Sequence, residues 1–319
     1  MKKTLTALAH RASSLRARGD AVVLVYHRIA APDSGSVGMI VSPERFAEHL
    51  DVVRRHFRPL PLADLVYSLG ARDVPPRSVA ITFDDGYSDN LDAAKPLLEL
   101  HEVPSTVFVV SGYVDSDRRF WWDELERICI APTSLPDQLE LDIGGDRVVW
   151  NQAAGGDPRD LYRRLRDALG PLEQNEREES LSRLREWCAF EPTLADSGLP
   201  LSADRLRELG GGGLVEIGAH TVTHPNLTRI APTRQLEEIS GSAKQLEAFL
   251  DRPVQLFSYP FGAHDRKAAA CVREAGLASA CTTEAGALGR STDRYRLPRL
   301  HVGDWSGDDL HEYVAARLR

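Results

Sequence analysis

The sequence predicts an α/β fold in which helices alternate with the strands of a mainly parallel sheet. Short apolar, β-branched runs recur along the chain, and longer segments with helical periodicity separate them. Polar or charged residues follow several of the runs directly, as they do at the carboxyl ends of strands in α/β enzymes. At 319 residues, the chain is long enough for one barrel with an insertion or for two domains.

Composition and charge are those of an ordinary globular protein. Apolar residues make up 42% of the chain and charged residues 27%. The net charge of −8 and the isoelectric point near 5.7 argue against nucleic acid as a partner. The four cysteines form no Cys-x2-Cys pair, which argues against a thiolate zinc site. They fit buried thiols in a reducing compartment, although a disulfide between some of them remains open.

The first segment, residues 1–19, is basic and is predicted to form an amphipathic helix with Leu5, Leu8, Ala12 and Leu15 on one face. It has no apolar run as long as that of a signal peptide, and no stretch of the sequence approaches the ~20 apolar residues of a membrane span. We therefore expect a cytoplasmic protein. The helix is expected to pack on the body of the protein, with peripheral contact to the inner membrane face as the alternative.

The first half of the chain alternates strands and helices in a regular order. Strands are predicted at Ala21–Tyr26, 78–83 and 105–110, and helices at 43–57 and 62–69. Ser42 is placed to cap the first of these helices. Asp89 and Asn90 are placed to cap a further helix over 91–100.

Two adjacent carboxylates, Asp84 and Asp85, follow the strand over 78–83. Because neighbouring strand residues point to opposite faces, the two side chains can share one site only if the backbone turns sharply, which Gly86 permits. Taken alone, Asp-Asp-Gly is equally compatible with a simple turn. The order of the acidic residues excludes an EF-hand loop.

The second half supplies a pair of histidines at another strand end. A short apolar run over 214–217 is followed by His220 and His224, and two imidazoles with one carboxylate form a common zinc set. A His-x3-His pair alone is more often incidental, but the ends of parallel strands converge. Later strands are predicted at 254–258, 278–282 and 297–301, and helices at 233–250, 265–276 and 308–318.

The stretch over about 115–200 is longer than one βα unit needs and is interpreted as a largely helical insertion. It contains a predicted hairpin over 139–150 and helices over 160–169 and 176–190. Trp121 and Trp122 near its start either pack in the core or stack on a sugar ring.

These motifs together resemble the polysaccharide deacetylase family, also called NodB-like or carbohydrate esterase 4. Thr82-Phe-Asp-Asp-Gly86 and His220-Thr-Val-Thr-His224 resemble its first two motifs. Val25-Tyr-His-Arg28, Phe120-Trp-Trp-Asp123 and Ser258-Tyr-Pro-Phe-Gly262 resemble features of a subgroup. The resemblance covers most of residues 20–305. It implies a distorted (β/α) barrel over 20–319, with the insertion at about 115–200.

The resemblance also implies a site. Asp85, His220 and His224 are expected to hold one divalent ion, zinc by ligand type, which polarises an acyl carbonyl and acidifies its bound water. Asp84 is the expected general base. The Tyr259–Gly262 turn is expected to meet the substrate and its oxyanion, the latter through the backbone N–H of Phe261.

Two departures from the family pattern leave roles open. Ser258 stands where the family carries the arginine that orients the base, and Arg299 or Arg296 is the expected replacement. The general acid is assigned to His27, with His301 as the alternative.

The function that follows from the resemblance is metal-dependent removal of an N-acetyl group from an amino sugar in a glycan or glycan precursor. A lipid-linked or nucleotide-linked sugar fits a cytoplasmic enzyme better than an extracellular polymer does. A deformylase, an O-acetyl esterase and a non-catalytic carbohydrate-binding protein remain as alternatives, because the motifs do not distinguish the acyl groups.

Overall fold

The structure is a computed structural model that describes residues 19–31, 39–116, 118–130, 135–190 and 198–319. The predicted N-terminal helix, with its proposed membrane contact, falls almost entirely outside these residues. Within the described part of the chain, no helix is both long enough and apolar enough to cross a membrane.

The core of the fold is a parallel sheet of short strands. Its strands are β1 (Ala21–Tyr26), β4 (Arg58–Pro59), β5 (Ser78–Phe83), β6 (Ser105–Val109), β9 (Val215–Ala219), β10 (Leu256–Ser258), β11 (Ser279–Cys281) and β12 (Leu300–His301). They follow the order β11-β10-β9-β6-β5-β1-β12, with β4 on the edge of β5. Two small pairs lie outside this sheet: β2 (Arg28–Ile29) with β3 (Ile40–Val41), and the antiparallel hairpin of β7 (Gln138–Ile143) and β8 (Asp146–Asn151).

The sheet curls so that one short segment joins its two ends. Leu297 forms a parallel bridge with Cys281 of β11, and Leu300 and His301 pair with β1. Residues 297–301 therefore contact β11 at one end of the sheet and β1 near the other end. This closure gives the distorted barrel that the sequence predicts.

Helices surround the sheet at the predicted places, apart from Ala203–Leu209, which was not predicted from the sequence. They are Pro43–His56, Leu62–Ala71, Lys95–His101, Ala203–Leu209, Pro232–Leu250, Arg266–Glu274 and Gly307–Ala315, and a π-helical turn, Asn90–Ala94, precedes the third. Strand β1 is buried on both faces, because Val22 and Leu24 pack in the outer apolar cluster while Ala21 and Val23 pack in an inner one. Helix Leu62–Ala71 contributes to that inner cluster.

The stretch interpreted as an insertion contains helices Trp121–Cys129, Pro158–Leu169 and Gln174–Cys188 and the β7–β8 hairpin. Its apolar residues form a separate cluster that also includes Tyr87 and Val110 of the barrel. This cluster attaches the insertion to the barrel beside the carboxyl ends of β5 and β6.

Ser42 and Asp89 occupy N-cap positions as predicted, but neither side chain makes a capping hydrogen bond. Ser42 precedes helix Pro43–His56, but its hydroxyl and N–H both donate to Asp304 rather than to the helix. Asp89 accepts from Arg28 and from the N–H of Ile29, and Asn90 donates to the carbonyl of His27. In each case a tertiary partner occupies the side chain that local sequence assigns to a cap.

Candidate active site

The turn after β5 brings the two neighbouring carboxylates into one pocket. The N–H of Asp84 continues the β1 ladder by donating to the carbonyl of Tyr26, and Asp85 and Gly86 then adopt φ angles of 73° and 81°. A Cβ on Gly86 would lie 3.0 Å from the side chain of Val109, so glycine serves both the conformation and the close approach. Both aspartates end with 3% of their surface exposed.

The histidine loop after β9 is held in a strained conformation by one carboxylate. Thr221 and His224 have φ angles of 67° and 56°, which residues other than glycine seldom adopt. Glu238, buried on helix Pro232–Leu250, accepts from the N–H groups of Val222 and Thr223 at 2.8 and 2.9 Å and from the Thr223 hydroxyl at 2.8 Å. These bonds fix the direction in which the two imidazoles point.

Asp85, His220 and His224 converge into a set that fits a metal ion. The Asp85 Oδ1 atom lies 3.5 Å from His220 Nε2 and 3.4 Å from His224 Nε2. Ligand atoms about 2.1 Å from a tetrahedral ion are separated by about 3.4 Å, so these spacings match a coordination shell. All three residues are buried, and their ligand atoms lie within 4.8 Å of one another.

Protonation in this set also suits a metal. The Nδ1 atom of His220 donates to the carbonyl of Ser258 at 2.7 Å, which turns Nε2 toward Asp85. Burial opposes protonation of this imidazole, but Asp84 and Asp85 raise its pKa above the usual value, so a bound metal ion would displace the Nε2 proton. Burial lowers the pKa of His224 to about 3, so that imidazole is neutral at pH 7. Burial opposes ionisation of Asp85, but the two histidines lower its pKa below the usual value. A carboxylate and neutral imidazoles are the forms in which these groups bind metals.

Arg299 holds the second carboxylate, Asp84. Its Nη1 and Nη2 atoms donate to the two Asp84 oxygens at 2.7 and 2.6 Å, and Nη2 also donates to the Ser258 hydroxyl at 2.9 Å. Burial opposes ionisation of Asp84, but the charge of Arg299 and then that of His220 hold its pKa well below the usual range. Arg296, the other candidate, lies on the surface and donates to His264.

Ser258 leaves space for this arrangement. Arg299 is fully buried in the barrel, where it also donates to the carbonyl of Thr282 and the hydroxyl of Thr82. The guanidinium therefore reaches Asp84 from segment 297–301, across the small side chain of Ser258.

Both candidate acids border the same cleft. The rings of His27 and His301 stack with their centroids 6.1 Å apart. Burial, and then His27 and Arg299, lower the pKa of His301 to about 4. Since both imidazoles line the cleft with Asp84 and Asp85, the geometry brings the two alternatives together without selecting one.

The cleft has a volume of about 690 Å³ and an aromatic rim. Trp122 and Phe261 flank His224, with ring centroids 4.2 and 4.6 Å away. Phe261 has a φ of 58° and is 39% exposed, so its turn projects into the cleft. The Trp122 indole N–H donates to the hydroxyl of Tyr87, two residues after Asp85.

Two predicted contact residues lie elsewhere. Trp121 is buried, with Arg177 over its ring and a separate cavity beside it. Tyr259 is buried and its hydroxyl donates to the carbonyl of Tyr295, so its side chain points into the core. Any part that Tyr259 plays in the cleft therefore falls to its backbone.

Some residues around the site were not anticipated from the sequence. Glu238 orders the histidine loop, and Arg177 donates to the carbonyl of Thr223 beside His224. Tyr162, Arg166 and Arg229 line the cleft. No motif marks these positions, because their roles arise from contacts between distant segments.

Known proteins match this chain in sequence and in fold. A family model described as polysaccharide deacetylase matches residues 71–135 and 184–280, just over half of the chain. A Bacillus subtilis protein that carries the name polysaccharide deacetylase YxkH is 27% identical over 115 residues. That match covers 36% of this chain and 41% of YxkH, so the chain spans less than half the length of this relative.

Solved structures show the same fold. The Streptococcus pyogenes deacetylase PplD, in complex with acetate, has a TM-score of 0.61 at 15% identity, covering 94% of this chain and 99% of PplD. IcaB from Ammonifex degensii has a TM-score of 0.61 at 19% identity, with the same coverage of the two chains. At these identities the likeness concerns the fold.

Proposed function

Because the chain belongs to the polysaccharide deacetylase family, we propose that it is a metal-dependent hydrolase that removes the N-acetyl group from an amino sugar in a glycan or glycan precursor. The observation that carries the proposal is the pairing of two differently held carboxylates in one cleft. Asp85 faces two imidazoles at coordination spacing, whereas Asp84 is held by a guanidinium. Two neighbouring carboxyl groups that are held by different partners typically have different catalytic roles.

In this proposal Asp85, His220 and His224 hold one divalent ion, and zinc suits the ligand set best. When bound, the ion supplies Lewis-acid chemistry, which polarises an acyl carbonyl and acidifies water. Side chains and backbone groups of this chain supply the base, the oxyanion donor and the acid.

Asp84 acts as the base that takes a proton from the attacking water. Its low pKa keeps it ionised throughout the neutral range, and the bidentate contact with Arg299 fixes its orientation. The backbone N–H of Phe261, in the turn that projects into the cleft, is assigned to the oxyanion. His27, beside both carboxylates, returns a proton to the leaving amine.

The acylated sugar is proposed to be lipid-linked or nucleotide-linked, and the enzyme to act in the cytoplasm. The basic segment 1–18 suits a lipid-linked substrate through contact with an anionic membrane surface. Binding of the intact protein to anionic vesicles tests this part, and absence of binding would remove the membrane contact from the proposal.

The decisive experiment measures acyl release together with metal content. Metal-depleted, zinc-restored and Asp84→Asn proteins are compared on N-acetylated, N-formylated and O-acetylated amino sugars. We expect the zinc-restored wild type to release acetate from the N-acetyl substrate, with about 10²-fold or greater loss in Asp84→Asn. Preference for the N-formylated or the O-acetylated substrate would show that the reaction is deformylation or ester hydrolysis instead of N-deacetylation. A protein that binds no metal would end the catalytic proposal.

A further inference from the structure

One wall of the active-site cleft comes from the insertion and carries positive charge. Helix Pro158–Leu169 contributes Tyr162, Arg166 and Asp167, and the loop that follows the two metal-binding histidines contributes Arg229. Two guanidinium groups and one carboxylate thus face the cleft on this side. The site proposed above uses none of these side chains.

Both arginines are partly exposed and only loosely paired. The Arg166 side chain is 37% exposed and its Nη2 lies 3.3 Å from the carboxylate of Asp167. The Arg229 side chain is 45% exposed and lies 3.8 Å from the carboxylate of Asp146, while its Nη1 donates to the carbonyl of Asp167 at 2.7 Å. Exposed ion pairs of this kind contribute little to stability, so either arginine can turn to a ligand at small cost.

The wall is nevertheless fixed relative to the metal ligands. The N–H of Asn226, two residues after His224, donates to the carbonyl of Gly170 at the end of the insertion helix. Arg177 joins the same two segments, because its buried guanidinium donates to the carbonyls of Leu169 and Leu172 and to that of Thr223. A ligand that contacts both the wall and the metal set therefore meets a preorganised surface.

The charge of the remaining cleft does not oppose an anion. Asp84 is neutralised by Arg299, and Asp85 belongs to the metal set. Guanidinium groups match the geometry of phosphoryl oxygens and can contact them through paired N–H donors. A neutral glycan would gain nothing from two such cations beyond ordinary hydrogen bonds.

We propose that Arg166 and Arg229 form an anion subsite that binds a phosphate or diphosphate ester through which the acylated sugar is attached to its carrier. Tyr162, whose ring lies 5.9 Å from the Arg166 guanidinium carbon, borders this subsite. The inference rests on the proposed function, since it names the substrate class of the same cleft. A nucleotide and a polyprenol are two carriers with this chemistry.

The test compares deacetylation of a neutral N-acetylglucosamine oligomer, of UDP-N-acetylglucosamine and of polyprenyl-diphosphate N-acetylglucosamine in detergent. The variants are Arg166→Gln, Arg229→Gln and the double variant. Arg163→Gln is the matched control, because Arg163 is on the same helix, is 63% exposed and pairs with Asp160. We expect each cleft variant to lower the ratio of kcat/KM for the preferred phosphorylated substrate to that for the neutral oligomer by about tenfold. Arg163→Gln should leave the ratio unchanged.

A binding measurement separates this proposal from the proposed function. UDP-N-acetylglucosamine is titrated into zinc-loaded Asp84→Asn protein, with and without the two arginine substitutions. Arginine-dependent binding, together with no deacetylation of any substrate by the zinc-loaded wild type, would retain the subsite and remove the deacetylase. Equal kcat/KM on neutral and phosphorylated sugars, or binding that does not depend on the arginines, would overturn the subsite. Preference for the nucleotide or the polyprenol substrate identifies the carrier.

Discussion

Replacement of Arg299 by methionine should destabilise the protein and impair catalysis through a single carboxylate. Methionine fills much of the same volume but removes both donors to Asp84, at 2.7 and 2.6 Å. Asp84 would remain 3% exposed, with only the Ser258 hydroxyl at 3.4 Å as a remaining side-chain donor among the described residues. The substitution thus leaves a buried charge without its partner.

The expected loss of stability can be estimated from that unpaired charge. Breaking a buried ion pair by removing one partner costs about 3–5 kcal/mol. For 319 residues, the entropy of unfolding at the midpoint corresponds to about 0.7 kcal/mol per degree. The expected decrease in Tm is therefore about 4–7 °C, measured by calorimetry on the metal-depleted protein so that ion binding does not enter the comparison.

The pH dependence gives an independent signature. In the wild type the pKa of Asp84 is held below its usual value, so its stabilising contribution is present above about pH 4 and is lost as the pH falls through the folded-state pKa. Without Arg299, burial raises that pKa above the usual value, and the stability contribution then decreases as the pH rises above about 4. The acid limb of kcat/KM should move to higher pH, because the base must be ionised.

Two further variants complete the experiment. Arg299→Lys retains the charge and should recover part of the Tm and of the pH profile. Arg296→Met, three residues earlier and with 51% of its side chain exposed, should change the Tm by less than about 1 °C. If Arg299→Met kept the wild-type Tm and an unshifted acid limb, Asp84 would not depend on this guanidinium and the assignment of the base would be wrong.

Three other predictions test the surrounding structure. Glu238→Gln should weaken zinc binding about 10–100-fold in a chelator competition, because the amide retains one acceptor oxygen for the strained histidine loop but loses the second oxygen and the negative charge. Unchanged affinity would show that the conformation of the loop does not depend on this carboxylate. His27→Ala should abolish most acetate release while His301→Ala retains more, and the reverse order would move the acid to His301. Asp123 has its pKa raised by burial to about 7, so wild-type stability should fall as the pH rises from about 4 to 7, and Asp123→Asn should flatten that slope in denaturant titrations; equal slopes would contradict the shift.

The strands were predictable because their physical requirement is local. β1 and β5 are buried on both faces, and short runs of small, apolar and β-branched residues such as Ser78–Phe83 satisfy that requirement without reference to the rest of the chain. Helix caps were less predictable. Ser42 and Asp89 have the side chains of good caps, but Asp304 and Arg28 compete for them from distant parts of the sequence.

The candidate site likewise contains residues that the sequence predicts and residues that it does not. Asp84, Asp85, His220 and His224 occur in compact motifs, so their convergence follows once the strands are parallel. Trp121 and Trp122 could not be separated from the sequence, because adjacent helical residues point about 100° apart and only the packed insertion decides which one meets His224. Glu238 acts through a loop fourteen or more residues away, and no spacing rule marks such a position.

The segment over 297–301 links the integrity of the barrel to the state of Asp84, the proposed base. It bridges β11 and β1, and it carries the guanidinium that holds Asp84. A nascent or proteolysed chain that ends before residue 297 would contain the three candidate metal ligands but neither the joined sheet nor the countercharge for Asp84. Such a fragment could sequester an ion without acquiring an oriented base, so hydrolytic competence would be acquired last, when the C-terminal part of the chain is in place.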